Sequence, residues 1–83
     1  EGDGVKILLR STGRLRELLE PDVDAYTREV EATEGDRMTD ILDRAGVPRD
    51  AVAFCYSEGR FHRLDYRPSD GETVTLQPPV SGG

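Results

Sequence analysis

The sequence predicts an α+β domain with one main helix packed across one face of a single mixed sheet. Three observations predict it. Short segments alternate apolar and polar residues, one segment carries a strong helical apolar stripe, and tight-turn residues separate them. A helix laid across a sheet buries all of these apolar faces at once. The chain has 83 residues, enough for one domain with a modest core.

The elements follow in order. In "VKILLR", Val5, Ile7 and Leu9 alternate with Lys6, Leu8 and Arg10, the pattern of a strand with one buried face. In "STGRLRELLEPD", Leu15, Leu18 and Leu19 lie at helical spacing. Ser11, Thr12 or Gly13 would open this short helix and Pro21 would close it. "AYTREVEA" predicts a second strand, with Tyr26, Val30 and Ala32 on one side and Thr27, Glu29 and Glu31 on the other. Arg28 interrupts its apolar side. "DRMTDILDRAGVP" predicts the main helix, because Met38, Ile41, Leu42 and Ala45 recur at i, i+3, i+4 and i+7. Asp36 is the expected cap, Gly46 the left-handed residue after the last turn, and Pro48 the stop. "AVAFCYS" predicts a buried strand, "EGR" a turn and "FHRLDY" a short strand or extended piece. "PSDG" is a turn built on Asp70-Gly71. "ETVTLQ" is the last strand, with Val74 and Leu76 facing one way and Thr73, Thr75 and Gln77 the other.

Composition excludes several functions. A formal net charge of −6 argues against a nucleic-acid binder, which needs a basic surface for phosphates. It equally disfavours an anionic membrane. No apolar run approaches the roughly 18–20 residues of a membrane span. Cys55 is the single cysteine, so no intrachain disulfide forms and no Cys/His cluster holds zinc. A lone thiol fits a cytoplasmic setting. The start "EGDG" reads as a trimmed end.

An enzyme's equipment is missing. Cys55 and His62 lie seven residues apart across a turn, a spacing that suits a strand thiol and a surface imidazole better than a nucleophilic pair. No Gly-rich phosphate loop is present, so the chain has no nucleotide site of its own. Glu29 and Glu31 read as a solvated strand edge. Arg60, Arg63 and Arg67 gather around the last hairpin as ordinary surface or an anion contact.

The tail "QPPVSGG" remains. Pro78 and Pro79 lack amide protons, so they end the strand and aim the chain outward in a stiff geometry. Val80 to Gly83 would then reach about 13 Å. Gly82 and Gly83 have no Cβ and can thread a narrow channel. The domain is expected to run from 1 to 79, with 80–83 as a flexible Gly-Gly tail. The carboxylate of Gly83 would be the reactive group once a partner activates it with ATP.

The stretch "SDGETVTLQPPVSGG" resembles the end of the ThiS/MoaD sulfur-carrier family, which closes on a D-G-D/E-x-V turn and strand and then P-P-V-x-G-G. Asp70, Gly71, Glu72 and Val74 match the first part; Pro78, Pro79, Val80, Gly82 and Gly83 match the second. "VKILLRSTGRLRELL" is similar to the first strand and helix of molybdopterin-type members, and "MTDILDRAGV" falls where their central helix lies. The middle departs: "YSEGRF" replaces the family's V-x-V-N-G core, and Pro68 stands where a Leu often precedes the turn.

The resemblance implies a β-grasp, ubiquitin-like fold and a carrier that is not an enzyme. It implies adenylation of the Gly83 carboxylate by a ubiquitin-activating-type (MoeB/ThiF-like) enzyme, then conversion by a sulfur donor to a thiocarboxylate. Pro78, Pro79, Val80, Ser81 and Gly82 would be the partner-binding residues. No cofactor or metal is expected on this chain; ATP is used by the partner. Molybdopterin synthesis is the first pathway implied, with a molybdopterin synthase large subunit as acceptor. A ThiS-like carrier for thiamine (through a thiazole synthase), cysteine or another thio-metabolite is the alternative. Two further readings are a ubiquitin-like modifier joined to lysines and an interaction module whose Gly-Gly is inert.

Overall fold

The computed structural model describes residues 4–11, 14–20 and 22–79. The elements are β1 (Gly4–Arg10), α1 (Arg14–Leu19), β2 (Thr27–Thr33), α2 (Met38–Ala45), a 3-10 turn (Arg49–Ala51), β3 (Phe54–Ser57), β4 (Arg60–His62) and β5 (Thr73–Gln77). The five strands form one mixed sheet in the order β2-β1-β5-β3-β4. β1 and β5 run parallel at its centre and every other pairing is antiparallel. This is the α+β arrangement that the alternation and the helical stripe predict.

One face of the sheet carries the core. Ile7 and Leu9 of β1, Val74 and Leu76 of β5 and Cys55 of β3 are buried with Val30 and Ala32 of β2. The stripe of α2, Met38, Ile41, Leu42 and Ala45, closes over them, and Leu15 and Leu19 of α1 fill the end. Leu18, expected in the same stripe, is 46% exposed. Leu15 and Leu19 stand one turn apart on the buried face, whereas Leu18 lies about 100° round the helix from Leu19.

The ends of α2 differ from one another. Gly46 takes the left-handed conformation expected of it, at φ 78°, and Val47 N–H donates to the Leu42 carbonyl at 3.0 Å. At the other end Asp36 is not the cap. Its carboxylate accepts from Thr33 N–H (3.0 Å) and pairs with Arg44 (3.3 Å). Arg37 occupies the cap position, and Asp40 reaches back to accept its N–H at 3.0 Å. The free amides of Met38 and Thr39 donate to the carbonyls of Tyr66 (2.9 Å) and Leu64 (3.1 Å). A segment distant in sequence therefore caps the helix.

Three further expectations are corrected. Tyr26 lies before β2 and is 40% exposed, its ring flanked by the guanidiniums of Arg10 and Arg16 at 5.7 and 5.5 Å. Thr27 is buried instead, because residues 22–23 fold back and donate to its carbonyl. "AVAFCYS" is a strand only from Phe54, since Val52 closes the 3-10 turn. It is also not buried throughout, because Tyr56 faces outward. Arg28 does interrupt the apolar side of β2: it stands opposite Leu9 and donates to the Leu19 carbonyl at 3.1 Å.

Candidate functional site: the last strand and its exit

β5 is held at both ends. At its start, Asp70 Oδ1 accepts from Lys6 N–H at 2.8 Å, Gly71 N–H donates to the Lys6 carbonyl at 2.7 Å, and Leu8 N–H donates to the Glu72 carbonyl at 3.0 Å. Gly71 sits at φ 82°, a conformation that costs a side-chain-bearing residue about 1–2 kcal/mol. The turn thus extends the parallel β1–β5 ladder, which continues as Leu8 opposite Thr73 and Arg10 opposite Thr75. At its end, Ala53 N–H donates to the Gln77 carbonyl at 2.8 Å. Pro78 and Pro79 follow, exposed and outside the strand, as their missing amide protons require. Val80, Ser81, Gly82 and Gly83, the rest of the expected partner-binding and reactive residues, lie outside the described residues.

Under the turn sits a polar network that the periodicity did not reveal. Glu72 is buried, and Oε2 of its carboxylate accepts from the hydroxyls of Ser57 and Tyr66, while Oε1 accepts from Ser69 N–H at 2.7 Å. His62 stacks on Tyr66, ring centroids 3.7 Å apart. Burial alone would raise the pKa of Glu72, but these hydrogen bonds, with help from the nearby His62, hold it below the ordinary value. Burial, then the hydrogen bond to Glu72 and the charges of Glu72 and Glu58, push the Tyr66 phenol up to about 12. The signal for this network was Glu72 itself, which the alternation of "ETVTLQ" sets on the buried side with Val74 and Leu76.

Cys55 and His62 are cross-strand partners but not a catalytic pair. The thiol is buried and donates weakly to the carbonyls of His62 (3.6 Å) and Arg63 (3.9 Å). Burial, with the Glu72 charge behind it, pushes its pKa up to about 11, which leaves an inert thiol. Arg60, Arg63 and Arg67 are exposed, and Arg67 donates to the Gly35 carbonyl at 3.2 Å. Glu29 and Glu31 are solvated on edge strand β2 as expected. A surface cleft of about 390 Å³ between α1 and the loop before β2 is lined by Arg16, Glu17, Glu20, Asp24 and Ala25. Among the described residues no three His, Cys, Asp or Glu side chains converge on a point that would hold a metal, and no helix is long and apolar enough to cross a membrane.

The opposite face of the sheet was missed by the sequence reading. Phe61 packs edge-on against Phe54 (5.2 Å) and Tyr56 (4.9 Å) and is itself 66% exposed. Phe54 stands opposite Gln77, the last residue of β5, so these rings border the tail exit. The alternation Phe54, Tyr56 was their signal.

Comparison with known proteins agrees with this architecture. The family model described as Mut7-C ubiquitin matches residues 4–81. The solution structure of the Haloferax volcanii HVO 2177 protein is similar at 17% identity and a TM-score of 0.74, over 100% of this chain and 91% of that one. A Pyrococcus furiosus protein described as molybdopterin converting factor, subunit 1, is 26% identical at a TM-score of 0.65, over 92% and 99% of the two chains. SAMP1 from Haloferax volcanii is 22% identical at 0.66, over 94% and 99%. The fold is the β-grasp of ubiquitin-like proteins, as the resemblance to the sulfur carriers implied. No curated protein sequence matches the chain.

Proposed function

Because this chain belongs to the Mut7-C ubiquitin family, we propose that it acts as a ubiquitin-like sulfur carrier rather than as an enzyme. A ubiquitin-activating-type (MoeB/ThiF-like) partner binds ATP and joins the Gly83 carboxylate to AMP, releasing pyrophosphate. Hydrosulfide from a sulfur donor then attacks the activated carbonyl carbon and expels AMP, leaving a thiocarboxylate. Delivery in molybdopterin synthesis is the acceptor route favoured, supported by the likeness to molybdopterin converting factor, subunit 1. We place the reaction in the cytoplasm, where the free thiol of Cys55 stays reduced.

One observation carries this reading: a Pro-Pro-Val-Ser-Gly-Gly segment follows a strand pinned at both ends, and its two prolines stand exposed beyond the ladder. A rigid platform delivering a slim tail suits a group that reacts inside another protein's active site. Residues 80–83 serve as that tail, and Pro78, Pro79, Val80, Ser81 and Gly82 contact the partner.

The test is intact-mass analysis after incubation with ATP, a sulfur donor and the ubiquitin-activating-type enzyme of the same organism. One oxygen-to-sulfur exchange at Gly83 is expected, and deletion of Gly83 abolishes it. An unchanged mass with an enzyme that activates its other carriers sinks the proposal. Stable Gly-Gly-dependent conjugates on lysines, without a thiocarboxylate, would instead make the protein a modifier.

A further inference from the structure

We infer that two copies of this chain associate edge to edge through β4, each strand pairing antiparallel with its counterpart about Phe61. The inference rests on strand geometry and stands whether or not the carrier reading holds.

The two edges of the sheet are β2 and β4, and they are finished differently. The outward backbone groups of β2 are taken at both ends. Asp22 accepts Glu29 N–H at 3.1 Å and Asp36 accepts Thr33 N–H at 3.0 Å. The Thr33 carbonyl accepts Asp36 N–H at 2.9 Å, and the Thr27 carbonyl accepts the amides of Asp22 and Val23. Glu31 puts a charge in the gap between these plugs. β4 has no such protection, for it carries neither acid nor proline. Its turn, Glu58-Gly59, has positive φ at both residues, 52° and 79°. That is the two-residue hairpin type in which the flanking pair, Ser57 and Arg60, exchanges hydrogen bonds. Cys55 and His62 then do the same, and Tyr56 and Phe61 between them do not. The N–H and C=O of Phe61 therefore point away from β3. Among the described residues no backbone group outside the ladder bonds to them, and the Phe61 ring is 66% exposed.

So short an open edge selects its occupant. A second copy turned about a two-fold axis at Phe61 offers one N–H and one C=O where the first needs them, and both bonds are exchanged between the two Phe61 residues. The same axis sets the two phenyl rings side by side and joins the cluster of Phe54, Tyr56 and Phe61 to its copy. Counting outward from Phe61, Arg60 meets His62 of the second copy rather than another arginine. Glu58 meets Leu64 of the second copy, one residue from its Arg63. Two hydrogen bonds and a pair of rings make a small contact, so a Kd of about 0.1 mM is expected. β5 runs parallel to β4 within one copy, so the axis sends the two tails out at opposite ends of the joined sheet.

Sedimentation velocity on the full chain from about 10 µM to about 1 mM is expected to show monomer passing to dimer. Phe61→Asp, which sets two carboxylates face to face on the axis, should raise Kd at least about tenfold. Glu31→Ala, on β2, leaves it unchanged, and thermal melts check that both variants keep the fold. A cross-link reads the register directly. In a Cys55→Ala chain, Phe61→Cys places two thiols on residues whose Cα atoms lie about 5.5 Å apart across the axis. Diamide takes two electrons and two protons from them, and a disulfide-linked dimer forms. Tyr56→Cys, roughly 14 Å from its counterpart, does not cross-link. A chain that stays monomeric at about 1 mM overturns the inference. So does a dimer that Phe61→Asp leaves unaltered, or a Tyr56 variant that cross-links as fast as the Phe61 variant, since either puts the contact elsewhere.

Discussion

Glu72 is a buried carboxylate whose oxygens are saturated by Ser57, Tyr66 and Ser69 N–H. Its folded pKa lies below the ordinary 4.5, so the unfolded chain takes up the proton more readily. The stability this supplies is fully present above about pH 4.5 and is lost as pH falls through the folded pKa. Glu72→Gln should cost about 1–3 kcal/mol at pH 7, because it breaks a buried charge-assisted network. It should also flatten the acid limb of stability against pH, and urea titrations of both proteins from about pH 7 down to pH 3 give the comparison. Gly71→Ala isolates a backbone effect, since a Cβ there meets nothing within 4 Å. The expected loss is about 1–2 kcal/mol from the positive φ alone, read as a lower melting temperature. Cys55, buried with a pKa near 11, should react with a thiol reagent only as fast as the fold opens. A Cys55→Ala chain should still be activated at the wild-type rate, because the proposed sulfur chemistry resides on the tail.

At the scale of elements, α2 is the piece on which the core depends. Leu42 is fully buried beneath it, and Leu42→Ala should cost about 2–5 kcal/mol by denaturant unfolding. Its first amides donate to Leu64 and Tyr66 carbonyls, so Asp36→Ala should not unravel the helix start; it removes the Thr33 contact and the exposed Arg44 pair, a loss of about 1 kcal/mol or less. β2 is an edge strand. Glu29 and Glu31 put charge along it, and Asp22 accepts the Glu29 N–H at 3.1 Å, two devices that discourage pairing with another chain.

For the whole molecule, the last strand ends where the Gln77 carbonyl meets Ala53 N–H. Removing Val80–Gly83 should leave the unfolding midpoint unchanged within about 0.5 kcal/mol, while activation by the partner is abolished. On the proposed function, stability and activation belong to different parts of the chain, and a melt beside an intact-mass assay separates them.

The element order, the buried faces of β1, α2 and β5, the left-handed Gly46 and the D-G turn are legible in the amino-acid sequence, because they depend on side-chain period and on local backbone sterics. So is the end of the strand at Pro78, since a residue without an amide proton cannot extend a ladder. Three features were not legible: that distant carbonyls rather than Asp36 cap α2, that Glu72 hydrogen-bonds to Ser57 and Tyr66, and that Phe54, Tyr56 and Phe61 gather on one face beside Gln77. One cause is common to all three. Each depends on which strands become neighbours and in what register, and β1 meets β5 across more than sixty residues of intervening chain. A one-residue slip in that pairing would turn every outward side chain inward, and the turn at Asp70–Glu72 is what prevents it.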